Sequence, residues 1–123
     1  MRLIVGGRGQ GKLALALQEE CAENVAHCET AAIDGVFDKK IIYGLHFLVR
    51  RLQESGENSL DFILPRLREE HILICDEVGA GIVPMGRGER AYRDAVGGLC
   101  CEIAARADVV ERVCCGIAQR VKG

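Results

Sequence analysis

The chain contains no tryptophan, and aromatic side chains make up only 4% of its 123 residues. So few flat rings leave no row of stacking platforms, which argues against single-stranded nucleic-acid binding. Net charge is equally scarce: 16 Lys and Arg stand against 18 Asp and Glu, a formal −2. No global field draws such a protein to nucleic acid or to an anionic membrane. There is no long uncharged stretch to cross a bilayer as a helix. The opening Met1-Arg2-Leu3-Ile4-Val5 is too short an apolar run for a secretion signal and turns at once into glycine, so a cytoplasmic protein is expected. Repeats, linkers and low-complexity tracts are missing as well. With 49% hydrophobic residues the chain is not disordered, and its length suits one domain over residues 1–123.

Cysteine is the opposite case, with seven residues: Cys21, Cys28, Cys75, Cys100, Cys101, Cys114 and Cys115. No C-x-x-C occurs, which removes the usual zinc and thioredoxin templates. An odd count with two adjacent pairs is a poor disulfide framework, because neighbours in a strand point to opposite faces. The cysteines are therefore expected to act as small buried hydrophobes in a reducing compartment.

Apolar spacing gives a coarse map. Leu3-Ile4-Val5 reads as a buried strand running into Gly6-Gly7. Leu13, Ala16, Leu17 and Cys21 predict a helix from Lys12 to about Val25. Ala31-Ala32-Ile33 reads as a second strand before the turn at Asp34-Gly35. Ile41, Leu45, Leu48, Val49 and Leu52 predict a helix ending near Ser55-Gly56, and another follows from Asn58 or Ser59, kinked or divided by Pro65. Ile72 to Cys75 is the clearest strand, and Val78 to Gly88 reads as a loop. A helix carrying Tyr92, Ala95, Val96, Leu99 and Ile103 comes next. Gly97-Gly98 inside it cost about 1 kcal/mol each relative to Ala unless another backbone packs close. Val109 to Cys115 is the last buried strand, with Ile117 to Val121 as a short partner. Strands alternating with helices predict α/β, a three-layer domain with a mostly parallel sheet.

Two segments carry chemistry. Gly6-Gly7-Arg8-Gly9-Gln10-Gly11-Lys12 fits the phosphate-loop pattern G-x-x-x-x-G-K, directly after the first strand and opening the first helix. Glycines let consecutive backbone N–H groups turn around a phosphate, and the lysine can reach the outer phosphates of ATP or GTP. The dinucleotide fingerprint G-x-G-x-x-G fails, because Lys12 stands where its third glycine belongs. The bland alternative is a glycine-rich turn that binds nothing. Leu13 occupies the place of the Ser or Thr that ordinarily ligates Mg²⁺, and an alkyl chain cannot do so. Asp76 and Glu77 follow the central strand, where such sheets place their ligands. Asp76 is a candidate to hold Mg²⁺, and Glu77 to contact nucleotide or act as a base; the alternative is a solvated acidic strand end. His46 has Arg50 one helical turn away, which favours a neutral imidazole and offers a cation for phosphate; a boundary residue on an amphipathic helix is the alternative.

From Asp76-Glu77-Val78-Gly79-Ala80-Gly81-Ile82-Val83-Pro84 onward, with Arg90, Arg93-Asp94, Gly97, Ala107-Asp108, Gly116 and Val121-Lys122, the chain resembles the adenosylcobinamide kinase/adenosylcobinamide-phosphate guanylyltransferase family. Gly6 to Lys12 is similar to that family's phosphate loop. The resemblance implies a P-loop nucleotide-binding fold and a homotrimer. It also implies action late in cobalamin synthesis: phosphorylation of the aminopropanol arm of adenosylcobinamide, then GMP transfer from GTP through a guanylylated histidine. His46, within Leu45-His46-Phe47-Leu48-Val49-Arg50, is the match for that histidine. The chain departs from the family in a shorter middle, in Leu13, in Cys100-Cys101 where the family has Asn-Gln, and in a histidine-rich stretch reduced to the match around His46. Three functions remain open on the sequence: this enzyme in compact form, a nucleotide-binding protein without catalysis, and a P-loop kinase for another small alcohol.

Overall fold

The computed structural model describes residues 1–77 and 86–123. Six strands form one sheet: β1 (Arg2–Gly6), β2 (Val25–His27), β3 (Ile41–Tyr43), β4 (Ile72–Asp76), β5 (Val109–Cys114) and β6 (Ile117–Lys122). Their order is β2-β3-β4-β1-β5-β6. β1 to β5 run parallel and β6 pairs antiparallel with β5. The α/β fold with a mostly parallel sheet is the one expected.

Alternation along the strands explains the layers. Leu3, Ile42, Leu73, Cys75 and Val110 point to one face. There they pack under α2 (Leu45–Glu54), α3 (Ser59–Ile63) and α4 (Arg87–Arg106) through Leu48, Leu52, Ile63, Val96, Leu99 and Ile103. Ile4, Ile41, Ile72, Ile74 and Val113 point to the other, where the short α1 (Lys12–Ala16) contributes Ala16, with Leu13 and Leu15 against it.

Several sequence expectations need correction. The helix from Lys12 stops at Ala16 rather than near Val25. Val25 and Ala26 are instead drawn into β2, in register with Ile41 and Ile42 of β3, and sheet pairing outweighs the helical spacing. An ion pair between Glu20 and Lys40 ties the intervening turn to the entry of β3. Ala31 to Ile33 is not a strand. A 3₁₀ segment, Ile33–Asp38, buries Val36 and Phe37, and Arg51 holds the preceding carbonyls of Cys28 and Ala31 at 2.8 and 2.7 Å. Ile41 belongs to β3, not to the following helix, and Gly44 with φ 81° turns the chain from β3 into α2.

Asn58 caps α3 by accepting the Asp61 N–H at 3.0 Å, and Pro65 divides that helix, its last turn becoming 3₁₀ over Leu64–Arg66. Of the loop expected over Val78 to Gly88, residues 78–85 lie outside the described residues, and α4 already begins at Arg87. All seven cysteines are unpaired. Cys28 and Cys75 are buried as expected, but Cys21, Cys101, Cys114 and Cys115 are exposed because they fall in turns, on the outer face of α4 or at the sheet edge.

Candidate functional site

The phosphate-loop residues sit at the C-terminal end of β1, between β4 and β5. Gly6 must be glycine here, since a Cβ would stand 2.4 Å from the Val113 carbonyl oxygen on the neighbouring strand. Gly11 takes a left-handed φ of 95° at the entry of α1. With only five residues α1 adds little macrodipole, so the loop amides and Lys12 carry most of any attraction for an anion.

Lys12 is only 3% exposed along its side chain, and its ammonium is held at both sides. Nζ donates to the Gly7 carbonyl at 2.6 Å and pairs with Asp76 Oδ1 at 2.8 Å. These two partners replace the water that a buried ammonium gives up. The other oxygen of the same carboxylate, Asp76 Oδ2, lies 3.5 Å from His46 Nε2. The Asp76 backbone N–H donates to His46 Nδ1 at 3.2 Å, so the lone pair is on Nδ1 and the imidazole proton on Nε2, facing the carboxylate. Burial lowers the His46 pKa below its ordinary 6.5, with Asp76 opposing and Lys12 reinforcing that shift. His46 is neutral at pH 7.

These groups form the floor of a cleft of about 310 Å³, lined by Arg8 to Ala14, Glu29, Tyr43, His46, Phe47 and Asp76. The structure thus brings Arg8, Gly9, Gln10, Gly11, Lys12, Leu13, His46 and Asp76 together. Glu29, Tyr43 and Phe47 are additions that no local pattern marked. Leu13 packs partly on the α1-side core and offers no oxygen to the cleft.

Arg50 and Glu77 are not among the lining residues. Arg50 does not face His46: its guanidinium makes a two-pronged pair with Glu89 at 2.6 and 3.0 Å and stacks 3.7 Å over the Tyr92 ring. Glu77 turns away from Asp76, as successive strand-end residues do, and pairs with Arg112 at 2.9 and 3.0 Å. It borders a separate cavity on the far side of the loop, with Gly7 and Gln10. Among the described residues no three His, Cys, Asp or Glu side chains converge on a metal position. Asp76 is the candidate for Mg²⁺, with both of its oxygens facing Lys12 and His46.

Residues 49–121, more than half of the chain, match the family model described as cobinamide kinase / cobinamide phosphate guanyltransferase. The chain belongs to this family. Membership makes it a relative of nucleoside-triphosphate-using transferases of cobalamin synthesis and agrees with the P-loop-type sheet. No curated protein matches it. The matched stretch takes in Asp76 and α4 through most of β6 but begins after His46 and the phosphate loop. No described helix is long and apolar enough to cross a membrane.

Proposed function

We propose that the chain binds ATP or GTP with its phosphates in the loop Gly6 to Lys12 and transfers the terminal phosphoryl group to the hydroxyl of the adenosylcobinamide aminopropanol arm. The observation that supports this most is the buried Lys12 ammonium, suspended between the loop carbonyl of Gly7 and Asp76 at the floor of an open cleft. A phosphate entering the loop exchanges the Asp76 contact for its own oxygens, and Lys12 then neutralises charge where it develops during transfer. Asp76, so released, stands where an acceptor hydroxyl loses its proton. It would also be the residue to hold Mg²⁺, which would supply charge neutralisation at the phosphates, while Leu13 leaves triphosphate binding itself little dependent on that ion. A homotrimer, on the strength of the family resemblance, and a cytoplasmic setting complete the proposal.

One observation favours a second reading for the guanylyl step. In this arrangement the Nδ1 lone pair of His46 accepts a backbone N–H, and its Nε2 carries a proton toward Asp76. Neither nitrogen presents a free lone pair to an α-phosphorus, so His46 positions Asp76 rather than carrying GMP. Arg50 and Glu77 take no direct part, being held by Glu89 and Arg112.

Calorimetric titration with ATP and GTP tests the reading. Charge-assisted contacts to phosphate contribute about 1.5–3 kcal/mol, so Lys12→Ala weakens binding roughly tenfold or more. Unchanged affinity in a folded Lys12→Ala protein rejects the site.

A further inference from the structure

The β5–β6 hairpin closes through a two-residue turn, Cys115-Gly116, between Cys114 and Ile117. Both turn residues have positive φ, 52° and 76°, the geometry of a type I′ turn. The left-handed backbone at Cys115 breaks the alternation that would send adjacent side chains to opposite faces. Cys114 Sγ and Cys115 Sγ consequently lie 4.0 Å apart, both exposed.

This turn is also what the phosphate loop leans on. Gln10 accepts the Cys115 N–H through its side-chain oxygen at 2.6 Å and the Gly116 N–H through its carbonyl at 2.9 Å. A Cβ on Gly11 would come within 3.4 Å of Gly116 Cα, so loop and turn are in van der Waals contact. Gly7, Gln10, Cys114 and Cys115 share one open cavity of about 830 Å³, roomy enough to admit a small disulfide.

We propose that Cys114 and Cys115 form a thiol–disulfide site that reacts with low-molecular-weight disulfides and, through Gln10, alters the phosphate loop. The thiolate of one cysteine attacks glutathione disulfide, forming a mixed disulfide and releasing one glutathione. The second thiolate displaces the remaining glutathione and closes the Cys114–Cys115 bond. Two thiol protons leave, the protein loses two electrons, and the glutathione disulfide gains them as two thiols. Adjacent Cα atoms are about 3.8 Å apart, below the roughly 4.4–6.8 Å of ordinary bridges, so the closed ring must distort the Cys114–Cys115 linkage. That distortion acts on the N–H groups that hold Gln10. The strain also makes the bond easily reduced, as a reversible site requires. The effect on nucleotide rests on the loop role proposed above; the thiol chemistry and the effect on the loop backbone do not.

The full-length chain is treated with glutathione disulfide, alkylated and digested with trypsin. Cleavage after Arg112 and Arg120 isolates residues 113–120, which hold Cys114 and Cys115 and no other cysteine. The expected product is this peptide lighter by two hydrogens and resistant to alkylation, restored by reductant and absent in Cys115→Ser. Amide hydrogen exchange over residues 7–12 should rise in the oxidised protein and remain unchanged in treated Cys115→Ser. Triphosphate affinity, where the reduced protein binds nucleotide, should fall about fivefold, the equivalent of one hydrogen bond. A reduced protein that binds no nucleotide defeats the proposed function alone, since ring closure and loop exchange are still read. A peptide that only accumulates glutathione, or a closed ring with no change in loop exchange, overturns the dithiol proposal.

Discussion

Lys12 and His46 share one carboxylate: Asp76 gives Oδ1 to the ammonium at 2.8 Å and Oδ2 to the imidazole at 3.5 Å. The three side chains come from different elements, α1, α2 and the end of β4, and meet only in the folded sheet. Any step that takes Lys12 to a phosphate or His46 to a nucleotide starts by loosening this arrangement.

The first consequence concerns guanylylation. With both imidazole nitrogens engaged, α-labelled GTP should leave no acid-labile label on the native chain. A phosphoramidate at His46 would appear as label that is lost in acid, survives base and vanishes in His46→Ala. Finding it would show that His46 leaves Asp76 during turnover and would reverse the role assigned here.

Leu13 makes a prediction about metal. Lacking the hydroxyl ligand, the native protein should bind triphosphate with only weak dependence on Mg²⁺. Leu13→Ser should increase that dependence when titrations with and without Mg²⁺ are compared. Strong dependence in the native chain would mean that Asp76 and water hold the ion unaided.

Gly97 lies inside α4, exposed, and no described atom beyond its own helix comes within 4 Å of a Cβ built there. No close packing repays its conformational cost. Gly97→Ala should therefore raise stability by about 1 kcal/mol, seen as a higher urea midpoint at unchanged slope. A loss of stability would point to an approach by residues 78–85 or by another molecule.

Stability should also fall with acid in a defined window. Burial depresses the pKa of His46 and of His71 below the ordinary 6.5. His71 is 1% exposed; its Nδ1 accepts the Arg68 N–H at 2.9 Å and its Nε2 faces the Phe37 carbonyl at 2.9 Å. Below pH 6.5 the unfolded chain takes up protons that the folded one refuses, so the stabilisation is full above that pH and is lost as pH falls through the folded pKa values. Urea midpoints measured from pH 8 to pH 5 should be level above neutrality and drop below 6.5. His71→Gln should lower the whole curve yet flatten its acidic limb, leaving the share due to His46. An acidic limb as steep as the native one would exclude His71.

The sequence made the centre of the sheet legible and its edge obscure. Leu3-Ile4-Val5, Ile72 to Cys75 and Val109 onward are continuous apolar runs long enough to be read alone. β2 and β3 have three residues each, and Ile41 happens to stand four before Leu45, so a strand was absorbed into a helical spacing. For the site, Lys12 and Asp76 follow from their places after strands, and His46 from its helix. The ion pairs of Arg50 and Glu77 were hidden for a common reason. Their partners, Glu89 and Arg112, lie 39 and 35 residues further on, and spacing within one element carries no information about them.

The strand order has a consequence for how the chain is assembled during synthesis. β1 comes earliest of the six strands, yet it lies between β4 and β5, with Arg2 in register with both Ile72 and Val109. The first of the six strands to be synthesised thus keeps one edge unpaired until β5 follows it. Until residues near 114 emerge, the apolar run Leu3-Ile4-Val5 and the glycine loop attached to it have an open edge. Contacts of such long sequence separation close slowly, and the interval exposes that run to chaperones or to aggregation.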